Sequence, residues 1–290
     1  MSWLVSAFAD EAGPTTEEQI KALKKAGIKH IDPRSVESYN ITTLPLDIAQ
    51  DVARKYKEAG ITVHMFGSPL GKIDISEDMN IDLDKLRHLG KLSSIFGCNK
   101  VRIFSYYNKH NVPADQWRDE SLRRLQQLTA LARELGLVLY HENERHIWGD
   151  TLEQVKTIVP LRGENFKLIF DFDNYNQSGD DVWNNWVALR DATDAFHLKD
   201  SSRGADGKHH HTPVGQGGGQ VEKILADALS RGWNGPLVLE PHLKHSGAVA
   251  ATGPSGQSNQ AFKDMTHAEC FQVAAETALG LMGKIKAPVV

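Results

Sequence analysis

Short runs of apolar, β-branched and aromatic residues recur along the chain. Between them lie stretches in which apolar residues return every three or four positions. The first pattern predicts strands at residues 4–8, 28–32, 61–66, 100–104, 137–142, 167–171, 194–198 and 236–240. The second predicts amphipathic helices between them. Ile20, Leu23 and Ala26 share one face behind the start signal Thr15-Thr16-Glu17-Glu18, and Leu122, Leu125, Leu128 and Leu131 mark a helix over 115–135. Thr151-Leu152-Glu153-Gln154 has the form of a capping box. Gly27, Gly60 and Gly136 each stand just before a predicted strand, where a helix stops most easily.

Strands alternating with helices imply parallel pairing. Eight units of about 36 residues suit a closed (β/α)8 TIM barrel spanning 1–290 as a single domain. The competing architecture is an open doubly wound sheet. Eight is the closure number, and the chemistry below also favours the barrel. Two polar, glycine-rich segments, 201–220 and 246–260, follow the seventh and eighth strands. In a barrel both lie on the C-terminal face, where active sites are built.

Composition narrows the field. The 290 residues are 40% hydrophobic and 24% charged, with a net charge of −4, as in a soluble globular protein. That balance gives no electrostatic reason to expect nucleic acid as a partner. Nothing approaches the roughly 18 apolar residues that span a bilayer. The first ten residues lack a basic start and a long apolar run, so no signal peptide is expected and the default location is cytoplasmic. Cys98 and Cys270 form no CxxC pair and read as free thiols.

The chemistry gathers at strand ends. The fifth strand ends His141-Glu142-Asn143, the sixth ends Phe170-Asp171, the seventh contains His197-Leu198-Lys199, and the eighth ends Leu239-Glu240-Pro241-His242. One acid at a strand end means little. Neighbouring strands of a closed barrel that all end this way converge on one point. Glu142, Asp171, His197 and Glu240 form an oxygen-rich set without thiolate, which favours one Mn²⁺, Mg²⁺ or Co²⁺ ion over a structural zinc.

The order of these motifs resembles the xylose isomerase-like TIM barrel superfamily, in particular its sugar phosphate isomerase/epimerase group of tagatose 3-epimerase and hydroxypyruvate isomerase type. The likeness rests on Phe8-Ala9-Asp10-Glu11, Gly67-Ser68-Pro69-Leu70-Gly71-Lys72, His141-Glu142-Asn143-Glu144, His197-Leu198-Lys199-Asp200, Gly215-Gln216-Gly217 and Leu239-Glu240-Pro241-His242. It implies that Glu142, Asp171, His197 and Glu240 bind the metal, with Mn²⁺ favoured and Zn²⁺ also open. It implies that Glu142 and Glu240 move a proton at the carbon beside a carbonyl, through a metal-stabilised enediolate of a keto sugar or related polyol. Two positions depart from the group. Asp32-Pro33-Arg34 stands where many relatives have a glutamate, and Asn174 where many have a histidine. Asp173 competes with Asp171 as ligand, because strand alternation would point both the same way.

Other candidates ring the expected mouth. His64, Lys72, Arg145, Lys199 and His242 are candidate substrate contacts, and Tyr106 and Tyr107 candidate pocket walls. His209-His210-His211 cannot all address one ion from an extended loop. His141-Glu142-Asn143-Glu144-Arg145-His146 has the wrong spacing and setting for a zinc-protease helix, and Gly215–Gly219 is no dinucleotide fingerprint. The alternatives to isomerisation or epimerisation are elimination from an oxidised glycoside or inosose-like substrate, apurinic endonuclease activity, and sugar binding alone. The expected partner is a small-molecule sugar, with self-association left open.

Overall fold

The computed structural model describes residues 2–251 and 256–290. Part of the second glycine-rich segment, 252–255, lies outside the described residues. In chain order the strands are β1 (Val5–Ala7), β2 (His30–Ile31), the hairpin β3 (Ser35–Val36) and β4 (Tyr39–Asn40), β5 (Thr62–Val63), β6 (Phe66–Leu70), β7 (Lys100–Ile103), β8 (Val138–Glu142), β9 (Phe166–Asp171), β10 (Ala195–Leu198), the hairpin β11 (Ser201–Arg203) and β12 (His209–His211), and β13 (Leu237–Leu239). The main sheet runs β5-β2-β1-β13-β10-β9-β8-β7-β6, and every pairing in it is parallel. Its two end strands, β5 and β6, are consecutive pieces of chain, so the sheet curls into a nearly closed TIM barrel.

The predicted third strand therefore needs correction. It is two strands joined at His64-Met65, and the second runs on through Gly67-Ser68-Pro69, beyond the predicted end at residue 66. The register slips between Phe66 and Leu70. A proline that cannot donate is tolerated at such an irregularity. Gly67 is required there, because a Cβ would overlap the ring of Phe8. The antiparallel hairpins were not foreseen either; each consists of two- or three-residue strands too short for periodicity to register.

The helices that position these strands are α1 (Thr16–Ala26), α2 (Leu46–Ala59), α3 (Asn80–Phe96), α4 (Ala114–Glu134), α5 (Leu152–Ile158), α6 (Phe172–Ser178), α7 (Val182–Leu189), α8 (Val221–Ser230), α9 (Gly247–Ala251) and α10 (His267–Lys284). The expected caps form. Thr15 and Glu18 close a capping box on α1, and Thr151 and Gln154 close one on α5. The main core lies between barrel and helices, while Phe8, Met65, Tyr140, Ile169, Ala195 and Val238 form a separate buried cluster. Cys98 and Cys270 are buried free thiols. Among the described residues no helix is long and apolar enough to cross a membrane.

Candidate metal centre and active site

Parallel pairing fixes which side chains share the barrel interior. Glu142 pairs with Ile169, Asp171 with His197, and His197 with Val238, so these positions face one way across three strand boundaries. Ile169 and Val238 belong to the small buried cluster, which places Glu142 and His197 over the same interior. Glu240 follows β13 directly, and its N–H donates to the Leu198 carbonyl (3.1 Å). The result is compact. Glu142, Asp171, His197 and Glu240 are all buried, and one donor atom from each lies within 4.8 Å of all the others.

One oxygen of each carboxylate is held by the protein. Asp171 Oδ1 accepts the Asn174 N–H (2.8 Å) as the cap of α6. Glu142 Oε2 accepts from Arg102 (3.2 Å), and Glu240 Oε1 accepts from Arg34 (3.1 Å). The other oxygens face the cluster: Glu142 Oε1 lies 3.0 Å from His197 Nδ1, and Glu240 Oε2 lies 3.6 Å from it. Asp171 Oδ2, Glu240 Oε2 and both ring nitrogens of His197 are buried and make no hydrogen bond among the described residues. Native proteins rarely gather several such atoms without hydrogen bonds, and a shared cation would take Asp171 Oδ2, Glu240 Oε2 and one ring nitrogen of His197.

Charge supports the same fit. Among the described residues, Asp10, Glu11, Glu142, Asp171 and Glu240 form one buried network with only Arg34, Arg102 and Lys199 as permanent cations, which leaves two negative charges over. That is the charge of a divalent ion beside a neutral imidazole. Without an ion the protein compensates with protons. Burial, together with Glu142 and Glu240, pushes Asp171 well above the usual carboxylate range despite Lys199. Burial disfavours a charged His197, but Glu142 and Glu240 outweigh it and raise the imidazole to about 9. Burial would also raise Glu142, yet His197 and Arg102 pull it down to about 2. Uptake of a divalent ion at neutral pH is therefore expected to release protons, measured as a heat of binding that changes with the buffer.

Asp173 does not join the cluster. The chain turns helical at Phe172, so strand alternation no longer holds. Asp173 instead binds Ser201, Gln177 (2.6 Å) and Asn176 (3.1 Å) and lies 3.3 Å from His211. Lys199 and His242 do join it. Lys199 Nζ lies 3.2 Å from Asp171 and 3.6 Å from Glu240, and His242 Nε2 lies 3.4 Å from Glu240. His64 instead binds Asp32 (3.0 Å), which also accepts from Ser6 (2.5 Å). Lys72 is spent on Glu144 (2.8 Å) and stacks over Phe104, whereas Arg145 lines a separate cavity. Tyr106 is fully buried, donates to Met79 Sδ and lies under Arg124. Tyr107 is half-buried and shares a cavity with Lys72. The three histidines part company, with His209 on Ser201, His210 on Asp206 and His211 against His242.

Sequence reasoning gave Asp10, Glu11, Arg34 and Arg102 no role in the site. Arg34 forks onto Asp10 (2.9 Å twice) and reaches Glu11 (3.4 Å) as well as Glu240. Arg102 bridges the two glutamates, 3.2 Å from Glu142 and 3.8 Å from Glu240. Both guanidiniums lie over the Phe8 ring, at 4.9 and 4.7 Å. The glycine-rich segment 215–219 is also accounted for. The N–H groups of Gly215, Gly217 and Gly219 all donate to the Asp200 carboxylate, at 3.0, 2.9 and 2.9 Å, and a Cβ on Gly217 would overlap it. That loop cradles the protein's own carboxylate.

A nearly closed parallel barrel with an acid-rich cluster at its C-terminal strand ends defines a class of protein. The family described as xylose isomerase-like TIM barrel matches residues 20–264, and the chain belongs to it. No curated protein gives a significant match. Several solved structures share the fold at low identity. The probable 3-DHS dehydratase AsbF of Bacillus anthracis is 16% identical over 96% of this chain and 99% of its own, with a TM-score of 0.70. D-psicose 3-epimerase of Clostridium cellulolyticum H10, solved with D-tagatose, is 14% identical over 99% of each chain, with a TM-score of 0.71. The IolI protein, solved with a bound zinc atom, is 14% identical over 97% of this chain and 98% of its own, with a TM-score of 0.73.

Proposed function

We propose that this chain is a divalent-metal-dependent isomerase or epimerase of a keto sugar or related polyol, with Glu142, Asp171, His197 and Glu240 as ligands. One observation carries the reading: two glutamates, each with one oxygen anchored by an arginine, turn their other oxygens into one buried cluster with an aspartate and a histidine. The likeness to an epimerase barrel supports it at the level of fold. Mn²⁺ is the favoured ion, and Mg²⁺, Co²⁺ and Zn²⁺ suit the same donors. When bound, such an ion supplies Lewis-acid stabilisation to charge developing on a carbonyl oxygen.

The chain's own residues do the rest. Glu142 and Glu240 are the proton carriers: one takes the proton from the carbon beside the carbonyl, the other returns one. Arg102 touches both, so it favours the ionised form of each and couples their protonation. Lys199 and His242 sit close enough to the cluster to orient substrate hydroxyls. A cytoplasmic sugar substrate belongs to the same proposal.

Chelation and ion return give the simplest check. A ligand that binds only the folded state at a hundred times its Kd stabilises by about 2.7 kcal/mol. Manganese is therefore expected to raise the melting temperature of chelator-treated protein, and Asp171→Asn to abolish most of that rise. The reaction is tested with a panel of ketoses in deuterated water. Solvent label at the carbon beside the carbonyl, without loss of a group, is the expected result. Elimination products alone would assign the site to a lyase, in keeping with its likeness to a dehydratase barrel. Nicking of an abasic duplex would assign it to an endonuclease.

A further inference from the structure

Apart from the barrel interior, a cavity of about 480 Å³ is bounded by the β11–β12 hairpin and the C-terminal end of α6. Among the described residues three permanent cations line it, Arg145, Arg203 and Lys208, and no carboxylate does. Elsewhere on this face Lys72 pairs with Glu144 at 2.8 Å and Lys85 with Asp82 at 3.3 Å, while Lys109 lies over the Tyr107 ring. Among the described residues no ion pair closes on Arg145, Arg203 or Lys208. The one acid in the turn, Asp206, is taken up by His210 at 3.0 Å. Arg203 Nε donates to the Gly207 carbonyl (3.1 Å), which aligns its guanidinium along the turn. Three like charges outnumber the acids beside them, Asp206 in the turn and the buried Asp173, and leave a positive field in the cavity.

A second feature points to a ligand. Gln177 also lines the cavity and is only 7% exposed. Its Nε2 donates to Asp173 (2.6 Å), while its Oε1 is buried with no hydrogen-bond partner among the described residues. The wall thus offers strong donors for an anion, with one orphaned acceptor buried just behind it. The frame is rigid, since Ser201 and His211 of the hairpin both engage Asp173.

We infer that this cavity binds the phosphate or carboxylate group of a hydroxylated small molecule, with Arg145 and Lys208 taking the anion and Gln177 Oε1 accepting from a nearby hydroxyl. The cavity lies close to the proposed metal centre. Asp173 touches both Gln177 and His211, His211 packs edge-on against His242 at 5.1 Å, and His242 reaches Glu240. Assigning the anion to the far end of the sugar substrate rests on the isomerase reading; the anion site itself does not. It predicts a sugar phosphate or sugar acid in preference to a neutral ketose.

The test uses the full chain, stripped of metal by chelator, so that no ion in the barrel contributes. Inorganic phosphate, a ketose phosphate, an aldonate and an uncharged ketose are titrated by calorimetry at low and high salt. The charged probes are expected to bind, more weakly in high salt, and the uncharged ketose at least about tenfold more weakly than its phosphate. Arg145→Ala and Lys208→Glu should each weaken phosphate about tenfold, as loss of a charge-assisted contact does. Lys91→Glu, an exposed charge on α3, should leave binding unchanged. Gln177→Leu should weaken the ketose phosphate and spare inorganic phosphate. Phosphate binding indifferent to Arg145→Ala and Lys208→Glu, or weakened equally by Lys91→Glu, overturns the site, as does equal affinity for the neutral ketose. The readouts separate the two proposals. Absence of solvent-label exchange with these titrations intact removes the isomerase reading alone, and the converse result removes the anion site alone.

Discussion

Glu240→Gln lowers kcat by about three orders of magnitude, the range for loss of a positioned proton carrier. Glu240 is asked to do two things. Its Oε2 faces the cluster without a hydrogen bond, as a ligand or base must. Its Oε1 is fixed by Arg34 and lies within reach of Arg102 and His242. Glutamine keeps the shape but loses the charge and the proton affinity. Solvent-label incorporation should fall with kcat, because both depend on the same proton transfer. Glu142→Gln should behave alike, and the double variant should cost little more than either alone, since the two carriers serve one cycle. A variant within tenfold of the parent in both readouts would remove Glu240 from the chemistry.

The second large effect concerns stability. Arg34→Met leaves Asp10, Glu11 and Glu240 without their shared cation in a fully buried setting. Removing one partner of a buried ion pair costs about 3–5 kcal/mol, because the remaining charge is stranded. The melting temperature should fall by roughly 10 °C, given the size of the chain. Burial already raises Glu11 to about 7, even with Arg34 beside it, so the cluster has little tolerance for losing a cation. Arg34→Lys restores charge but not the fork onto Asp10, nor the flat contact over Phe8, and should recover only part of the loss. An unchanged melting temperature in Arg34→Met would show that these carboxylates are not compensated as described.

Most of the barrel was legible because its strands are buried on both faces and read as apolar runs. The cluster of Glu142, Asp171, His197 and Glu240 was legible because topology alone brings neighbouring strand ends together. The choice between Asp171 and Asp173 was not. It depends on where β9 gives way to α6, and Asp171 itself caps that helix. Arg102 left a trace that could have been used: a cation between Val101 and Ile103, in a strand covered on both sides, has to be compensated inside the protein. Asp10 and Glu11 stood in a motif of the resemblance and Arg34 in a departure from it, but none was given a place in the site, since charged residues after strands usually meet solvent. Their burial depends on loops packing over the barrel mouth, which local pattern does not encode. The Asp200 cradle was hidden for the same reason: Asp200 and the glycines that bind it are more than a dozen residues apart.

The most direct test is a crystal of the chelator-treated protein soaked in manganese, with diffraction recorded near the manganese absorption edge. A single anomalous peak is expected among Glu142, Asp171, His197 and Glu240, within about 2.0–2.4 Å of one donor atom from each. A peak held instead by Glu11 and His242, or none at saturating manganese, would contradict the metal centre and the chemistry built on it.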